Sequence, residues 1–345
     1  MDIKDVLKFL KEYDGEEITI MEVCGTHTAS IAENAIPSLI SDKIKLISGP
    51  GCPVCVTVSD YVDRLIELAL QGKVIVTFGD MIRVPGSKQA LKDIKSQGAD
   101  IRMVYSPTEI IDLALAEPEK DFVFAAVGFE TTTPIYALLI DELIEKYVRN
   151  VWILTALKTM PQVIKELCES DSKIDGFLAP GHVAVITGSE AFAPLAERYS
   201  KPFAVSGFEA QEILASIYAL VKLRGQGKVV NLYKKAVSPS PNDKASEIVG
   251  KYFEVCDAAW RGLGIIKGSG LALKKKYSCF DAGSRELIND FSHNSGCSCG
   301  EIITGKKRPS QCRLFGSVCT PEHPIGACMV SNEGACFNYI TNNRE

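Results

Sequence analysis

The chain establishes its pattern in residues 18–28, which read ITIMEVCGTHT. The first six of these residues are mostly apolar, as in a buried β-strand, and a glycine then separates the strand from a stretch with helical spacing. A strand that runs through a short turn into a helix is the repeating unit of parallel α/β proteins. The stretch therefore predicts an α/β fold, with Cys24 and His27 on the loop that follows the first strand.

The same pattern of strand, turn and helix recurs along the chain. Further runs rich in Ile, Val and Phe, which we predict to be buried strands, lie at 44–48, 74–78, 101–105, 122–127, 151–154, 176–179 and 203–205. Two parallel sheets of about four strands each would account for residues 15 to about 225. Loops beyond the carboxyl ends of such strands form ligand sites, so we expect the two halves to face a central cleft.

The pattern pauses at Glu117-Pro118-Glu119 and fades beyond Gly225. Residues 241 to about 260 then have helical spacing, and a tail rich in Gly, Lys and Cys follows. A chain of 345 residues can form two or three compact domains. We therefore predict two Rossmann-like α/β domains, the first with the Cys24 and Cys52/Cys55 loops, and a third domain held together largely by a metal site. The predicted domains are residues 1–117, 118–225 and 226–345.

The composition excludes several classes of function. Apolar residues make up 46% of the chain and charged residues 23%, and no run approaches the roughly 18 apolar residues of a membrane span. The N-terminal residues alternate charged and apolar side chains at helical spacing, unlike a secretory signal, so we expect a cytoplasmic protein. A net charge of −5 argues against nucleic-acid binding, and the run 274–276 of three lysines is read as a solvated turn.

Six of the twelve cysteines lie in the last 49 residues. Four of them, Cys297, Cys312, Cys319 and Cys336, are separated by 14, 6 and 16 residues. A reducing compartment favours metal ligands or redox groups over structural disulfides, and four thiolates on one short tail are a suitable ligand set for an iron–sulfur cluster. Cys299 and Cys328 lie close to this set, and either could replace one of its members or pack beside them.

Two further cysteine motifs lie near the N-terminus. Cys24 precedes a predicted helix, whose N–H groups and dipole would stabilise a thiolate and lower its pKa, so we interpret Cys24 as a nucleophile or soft-metal ligand. Alternatively, Cys24 is a small buried apolar residue and His27 a satisfied polar group. Cys52 and Cys55, in the sequence GPGCPVC, could form a reducible disulfide or hold one metal, with half of a zinc site as the main competitor.

Other unusual residues follow later predicted strands. They are Gly79-Asp80, residues 128–133 with the sequence GFETTT, and Pro180-Gly181-His182. We interpret His293 and His323 as solvated or supporting residues rather than ligands. Three cysteines that are isolated in sequence are read as structural, namely Cys168, Cys256 and Cys279.

Five motifs in consistent order between residues 21 and 336 resemble the hydrogenase maturation protein HypD family. They are CGTHT at 24–28, GPGCPVC at 49–55, GFETT at 128–132, APGHV at 179–183 and the cysteine tail. The resemblance implies a three-domain α/β protein whose tail cysteines carry a [4Fe–4S] cluster. It also implies that the cleft assembles the Fe(CN)₂CO unit of nickel–iron hydrogenases.

The resemblance further implies roles for the N-terminal residues. Cys24 would bind the single iron together with a cysteine of the small chaperone HypC, and His27 would serve beside it as ligand, proton donor or orienter. Cyanide would arrive as a thiocyanate on the C-terminal cysteine of HypE. Cys52 and Cys55 would supply the two electrons that release each cyanide by closing a disulfide, and the cluster would restore the dithiol.

Two other functions remain open on the sequence alone. The first is an iron–sulfur or thiol–disulfide oxidoreductase that acts on a small molecule, with Cys24 forming the substrate adduct. The second is a zinc-binding interaction module without catalytic activity.

Overall fold

The computed structural model describes residues 2–170, 173–291 and 296–342. Within these ranges it contains two β-sheets whose faces are covered by helices. The strands are β1 (Ile18–Glu22), β2 (Ile44–Ser48), β3 (Val74–Thr77), β4 (Ile101–Met103), β5 (Phe122–Gly128), β6 (Val151–Lys158), β7 (Gly176–Pro180), β8 (Phe203–Ser206), β9 (Val229–Asn231), β10 (Phe253–Trp260) and β11 (Gly264–Leu273). The helices are α1 (Ile3–Lys11), α2 (Gly25–Glu33), α3 (Ile36–Leu39), α4 (Ser59–Leu70), α5 (Leu91–Ser96), α6 (Glu109–Ala116), α7 (Thr133–Glu145), α8 (Met160–Glu169), α9 (Gly181–Thr187), α10 (Ala193–Tyr199), α11 (Ala210–Lys222), α12 (Asp243–Tyr252), α13 (Cys299–Ile303) and α14 (Ala335–Asn342).

Both sheets consist mainly of parallel strands. The first sheet has the order β2-β1-β7-β8-β9, and all its pairings are parallel. The second has the order β10-β11-β6-β5-β3-β4, in which β10 and β11 form an antiparallel hairpin on the edge of a parallel core. The predicted α/β class and the presence of two largely parallel sheets are confirmed.

The distribution of strands between the sheets differs from the expected one. The chain leaves the first sheet after β2, builds β3 to β6 of the second sheet, and returns to the first at β7. Hydrophobic runs identify strands but carry no signal for which strand each will pair with, so a crossing of this kind is invisible in the periodicity. The predicted limit at 117/118 falls between two strands of one sheet, and the three-domain division remains a prediction about folding units.

The segment around residue 255 also differs from the expected structure. The helical spacing predicted from 241 to about 260 holds for α12, which ends at Tyr252, and the chain continues as β10. The turn to β11 contains Gly262 and Gly264, with φ of +75° and +77°, values that glycine adopts without strain. The sequence FEVCDAAW of β10 mixes apolar and acidic residues in a way that fits either a helix or a strand, and the hairpin turn favours the strand here.

One cluster of buried side chains connects the two sheets with the C-terminal tail. Its members include Met21 of the first sheet, Phe129 after β5, Trp260 of the hairpin and several tail cysteines. Each large apolar side chain buried in such a cluster stabilises the fold by about 1.5–3 kcal/mol. The tail is therefore part of the core between the sheets, and α14 packs against α2.

Candidate functional site

Cys24 lies at the carboxyl end of the first sheet, directly before α2. The thiol is buried, and the backbone N–H groups of His27 and Thr26 stabilise its anion. Burial outweighs them and, with the charges of Glu333 and Glu22, raises the pKa of Cys24 to about 12. The predicted lowering of the Cys24 pKa is wrong, because burial raises this pKa more than the N–H groups at the start of α2 lower it. A bound cation would reverse the balance, since coordinating thiols lose their proton.

Close backbone contacts bring the Gly-Pro-Gly loop against Cys24. The Gly25 N–H donates to the Gly51 carbonyl oxygen at 3.0 Å, and the Gly49 N–H donates to the Glu22 carbonyl oxygen at 2.7 Å. A Cβ atom on Gly51 would lie 2.6 Å from the Cα of Cys24, which is too close for any side chain. The loop that carries Cys52 and Cys55 is thereby fixed to the strand that ends at Cys24.

Glu22 is a buried carboxyl group that supports the Cys24 loop. Its Oε2 accepts the Cys24 N–H at 3.0 Å, and its Oε1 accepts the Thr28 hydroxyl at 2.5 Å. Burial raises the pKa of Glu22 to about 8. Sequence reasoning missed this residue, although a glutamate within an apolar strand was a visible signal.

Replacing Glu22 with glutamine is expected to flatten the pH dependence of stability. The folded-state pKa of about 8 exceeds the ordinary value of 4.5, so between these values the folded protein retains a proton that the unfolded chain has lost. The stabilisation that Glu22 contributes is complete below pH 4.5 and is lost as the pH rises to 8. Over this range the free energy of unfolding falls by up to about 1.4 kcal/mol per pH unit. Urea unfolding midpoints between pH 6.5 and 8 measure it, and the exposed Glu119→Gln is the control. An unchanged slope in Glu22→Gln would contradict this assignment.

His27 is fully buried, and its two ring nitrogens differ. The Nε2 atom lies 3.0 Å from the carbonyl oxygen of Gly207 and donates to it, whereas Nδ1 has no partner among the described residues. Burial lowers the pKa of His27 to about 4, so the imidazole is neutral near pH 7. The interpretation of His27 as a satisfied polar group therefore holds for Nε2 only, and Nδ1 is an unused acceptor.

Phe208 connects His27 with the exposed His182 of α9. Its ring centre lies 4.9 Å from that of His27 and 4.0 Å from that of His182. Burial lowers the pKa of His182 as well. The Pro180-Gly181-His182 motif thus joins the loop of Cys24 at the same end of the first sheet, as expected for loops that follow neighbouring parallel strands.

Glu130 of the GFETTT motif has one carboxyl oxygen with an unmet hydrogen-bonding requirement. Its Oε1 accepts the Met160 N–H at 2.8 Å, while Oε2 is buried without a partner among the described residues. Burial raises the pKa of Glu130 to about 7. Buried polar atoms are rarely left unpaired, so Oε2 is suited to a hydrogen bond with a bound group.

Cys52 and Cys55 are joined by a disulfide and are both buried. The Cys55 Sγ lies 3.8 Å from the carbonyl oxygen of Ala327 in the tail. The redox-capable pair therefore contacts the Cys24 loop through Gly51 on one side and the C-terminal tail on the other.

The four spaced tail cysteines take no part in the disulfides of the described residues and lie near one another. Burial, together with the charges of Cys297, Cys319 and Cys312, raises the pKa of Cys336. Four neighbouring thiols are the donor set of an iron–sulfur cluster, so the chemistry fits the group that the sequence predicts. Within the described residues, however, no three His, Cys, Asp or Glu side chains are arranged to hold one metal ion. The thiols are neighbours that would have to close around a cluster.

Cys299 and Cys328, whose role the sequence left open, form a second disulfide. Gly326 lies against Cys297, because a Cβ added to it would be 2.5 Å from the Cys297 Sγ, and the Ala327 carbonyl oxygen contacts Cys55. The segment that leads into Cys328 thus lies between Cys297 and the Cys52–Cys55 pair. Sequence reasoning could not find the second disulfide, since cysteine spacing does not determine disulfide pairing.

Arg261 is a buried cation that fixes the chain beyond Cys55. Its Nε donates to the Thr57 carbonyl oxygen at 2.6 Å, and its backbone N–H donates to the Val56 carbonyl oxygen at 2.9 Å. Burial lowers the pKa of Arg261, and Asp290 and Cys297 are among the groups whose charges oppose this. The residue was not identified from sequence, because one arginine after a tryptophan has no motif.

The remaining candidates lie apart from these contacts. His323 and Cys279 are exposed, and Cys168 and Cys256 are partly buried. His293 lies outside the described residues. No helix in the described part of the chain is long and apolar enough to cross a membrane.

Comparisons with known proteins cover almost the whole chain. A family model described as HypD, "Hydrogenase formation hypA family", matches residues 2–343. The provisionally named hydrogenase expression/formation protein of Methanocaldococcus jannaschii is 42% identical over 325 residues, which are 93% of this chain and 91% of that protein. The hydrogenase maturation factor HypD1 of Bradyrhizobium diazoefficiens is 41% identical over 338 residues, which are 94% of this chain and 89% of that protein. The hydrogenase maturation factor HypD of Escherichia coli K12 is 39% identical over 326 residues, which are 92% of this chain and 87% of that protein.

Proposed function

Because the chain belongs to the HypD family of hydrogenase maturation factors, we propose that it is the scaffold on which the Fe(CN)₂CO unit of a nickel–iron hydrogenase is assembled. The observation that carries the proposal is the hydrogen bond from Gly25 to Gly51, which joins the Cys24 loop to the loop of the Cys52–Cys55 pair. A metal-binding thiol and a two-electron donor are thereby held at one end of the first sheet.

Cys24 and His27 are the residues proposed to receive the iron, which is cargo rather than a permanent cofactor. Cys24 would share the iron with a cysteine of a HypC-type chaperone, and this partner would close the cleft against water and oxygen. The lone pair on His27 Nδ1, which has no hydrogen-bond partner among the described residues, would bind the iron or accept the proton that HCN loses. The low pKa of His27 keeps it neutral and therefore available near pH 7.

Cys52 and Cys55 are proposed to release cyanide from a thiocyanate delivered by a HypE-type partner. The dithiol and R–S–C≡N give the disulfide, R–SH and HCN, so the carbon–sulfur bond takes both electrons and both protons. The cyanide then transfers its proton to a base and binds the iron. The Cys52–Cys55 disulfide would be the oxidised product of this step.

Regeneration of the dithiol is proposed to come from the tail. A [4Fe–4S] cluster on Cys297, Cys312, Cys319 and Cys336 would supply single electrons. The segment that leads into Cys328, between Cys297 and the Cys52–Cys55 pair, supports a common redox path. We place the protein in the cytoplasm, where reducing conditions maintain such thiols.

Infrared spectroscopy of the protein purified without oxygen together with its HypC-type partner tests the proposal. We expect the stretching bands of iron-bound cyanide and CO. Their absence in a brown, fully clustered and partner-bound sample would favour a small-molecule oxidoreductase instead. A colourless, oxygen-stable protein with stoichiometric zinc would favour the interaction module.

The Cys52→Ser/Cys55→Ser variant separates electron supply from metal binding. We expect it to retain the single iron, because Cys24 is unchanged, but to lose the cyanide bands, because no dithiol remains to cleave the carbon–sulfur bond. Iron analysis and infrared spectra of one sample measure both. Cys279→Ser, at an exposed cysteine, is the matched control. Cyanide bands of normal intensity in the double variant would exclude this pair as the electron donor.

A further inference from the structure

A cavity of about 180 Å³ lies on the second sheet, where β6 meets the β10–β11 hairpin. Its walls are also formed by Tyr61 of α4 and by the segment 284–288. None of the cysteines assigned to the site lines it, nor does His27. At about 30 Å³ for each water molecule, it could hold about six waters or one small organic molecule.

Lys158, the last residue of β6, contributes a buried positive charge to this cavity. The side chain is 4% exposed, and its Nζ donates to the Ala259 carbonyl oxygen at 2.8 Å. The Nζ also lies 5.5 Å from the ring centre of Trp260. Among the described residues, no carboxylate lies within 4.0 Å of this ammonium group. One hydrogen bond leaves two of its three donors unused, and a buried charge without a counter-ion is costly.

The other polar groups of the wall favour an anion. Arg285 lines the cavity, and the charges of Arg285 and Lys158 both lower the pKa of the Cys256 thiol against the effect of burial. Thr155 adds a hydroxyl group, whereas the hydroxyl group of Ser284 donates to Asp281 Oδ1 at 2.5 Å. The single acidic residue of the wall, Asp257, is exposed and accepts the Gly268 N–H at 2.9 Å. Arg285 is itself paired with Glu254, which leaves Lys158 as the cation without an acidic partner.

Most of the remaining wall is apolar. It consists of Val58, Ala156, Leu157, Ala258, Ala259, Leu271, Ala272, Leu287 and Ile288. A phosphate-like dianion would leave one of its charges unpaired against these residues, whereas a short aliphatic acid carries one charge and an apolar body. The wall therefore matches a short-chain monocarboxylate better than an inorganic anion.

We propose that this cavity binds a short-chain aliphatic monocarboxylate whose charge pairs with the ammonium group of Lys158. The two carboxylate oxygens accept the unused donors of Lys158 and the hydroxyl group of Thr155, and the alkyl chain contacts the apolar residues. Burial lowers the pKa of Lys158 to about 8, so at pH 7 most of the lysine is charged and able to pair. A bound carboxylate would raise that pKa again.

Calorimetric titration of the intact chain with sodium butyrate at pH 7 tests the proposal. We expect saturable binding that Lys158→Met weakens at least tenfold, while Lys267→Met, at an exposed lysine of the same hairpin, binds like the unchanged protein. In carboxylate-free buffer the Lys158→Met protein should unfold at the same or a higher temperature, since it replaces an unpaired buried charge with an apolar group. Butyrate should raise the unfolding temperature only where Lys158 is present.

Several outcomes would overturn the proposal. They are the absence of saturable binding, equal affinity in Lys158→Met, and an equal effect of sodium chloride at the same ionic strength, which would indicate a general anion effect. If the Lys158→Met protein fails to fold, ¹³C reductive methylation of the unchanged protein decides the matter. Butyrate should then raise the pKa of the Lys158 signal, and a signal that does not respond would refute the site.

Discussion

Replacing Cys24 with alanine is expected to abolish binding of the single iron while leaving the iron and sulfide of the tail unchanged. Cys24 precedes α2 in the first sheet, whereas the proposed cluster ligands lie between residues 297 and 336. Alanine has no side-chain atom that can bind iron, so the buried thiol at this position is lost. Parallel assays of iron and acid-labile sulfide on the anaerobically purified variant measure the two sites separately.

The control for this variant is Cys168→Ala, which removes a partly buried free cysteine from α8. The iron content and the sulfide content of this control should both remain at the level of the unchanged protein. If the sulfide content of Cys24→Ala fell together with its iron, the two sites would not be independent, and the assignment of Cys24 to the single iron would fail.

The Gly51→Ala substitution is expected to cause the largest loss of stability. Its Cβ would meet the backbone of Val23 and Cys24, including the Cys24 Cα at 2.6 Å, and backbone atoms cannot rotate away as a flexible side chain can. Overpacking of this kind costs about 1–3 kcal/mol, and more where nothing yields. Relief of the clash would push the Cys52–Cys55 loop away from Cys24, so iron binding should fall as well.

Urea unfolding midpoints measure the effect of Gly51→Ala, with Gly250→Ala as its counterpart. Gly250 lies within α12 with open space around its Cα, so alanine there should stabilise the chain by about 0.5–1 kcal/mol. If the two variants unfolded at the same urea concentration, the close approach of Gly51 to Cys24 would not exist in solution.

The sequence allowed the prediction of strands β1 to β8, the parallel architecture and the loops that carry the site, whereas β9, β10 and β11 were not predicted. These features follow from local patterns, since strands leave a run of apolar residues and parallel sheets collect their loops at one edge. The gathering of Cys24, Cys52 and His182 at one end of the molecule needed no knowledge of strand order. Strand order itself depends on contacts between distant residues, and the sheets were divided incorrectly for that reason.

The chemical state of the site was less predictable than its composition. The thiol pKa of Cys24 was expected to fall because its helix is local in sequence, but it rises because burial is a property of the whole fold. Arg261 acts through a carbonyl oxygen about 200 residues earlier in the chain, and the raised pKa of Glu22 comes from its burial by the whole fold. Neither residue belongs to a motif that sequence reasoning had isolated. The Cys299–Cys328 disulfide likewise depends on proximity that only the folded tail creates.

The crossing of the chain between the two sheets has a consequence for biosynthesis. Strand β1 pairs with β7, which begins at Gly176, so one edge of β1 has no neighbour while about 150 residues are still being translated. At about 5–20 residues per second, this interval lasts roughly ten to thirty seconds. During that time the nascent chain presents an open strand edge, a surface prone to mispairing or capture by a chaperone. About half of the polypeptide must therefore leave the ribosome before β7 completes the sheet beside the Cys24 loop, so metal loading cannot precede that point.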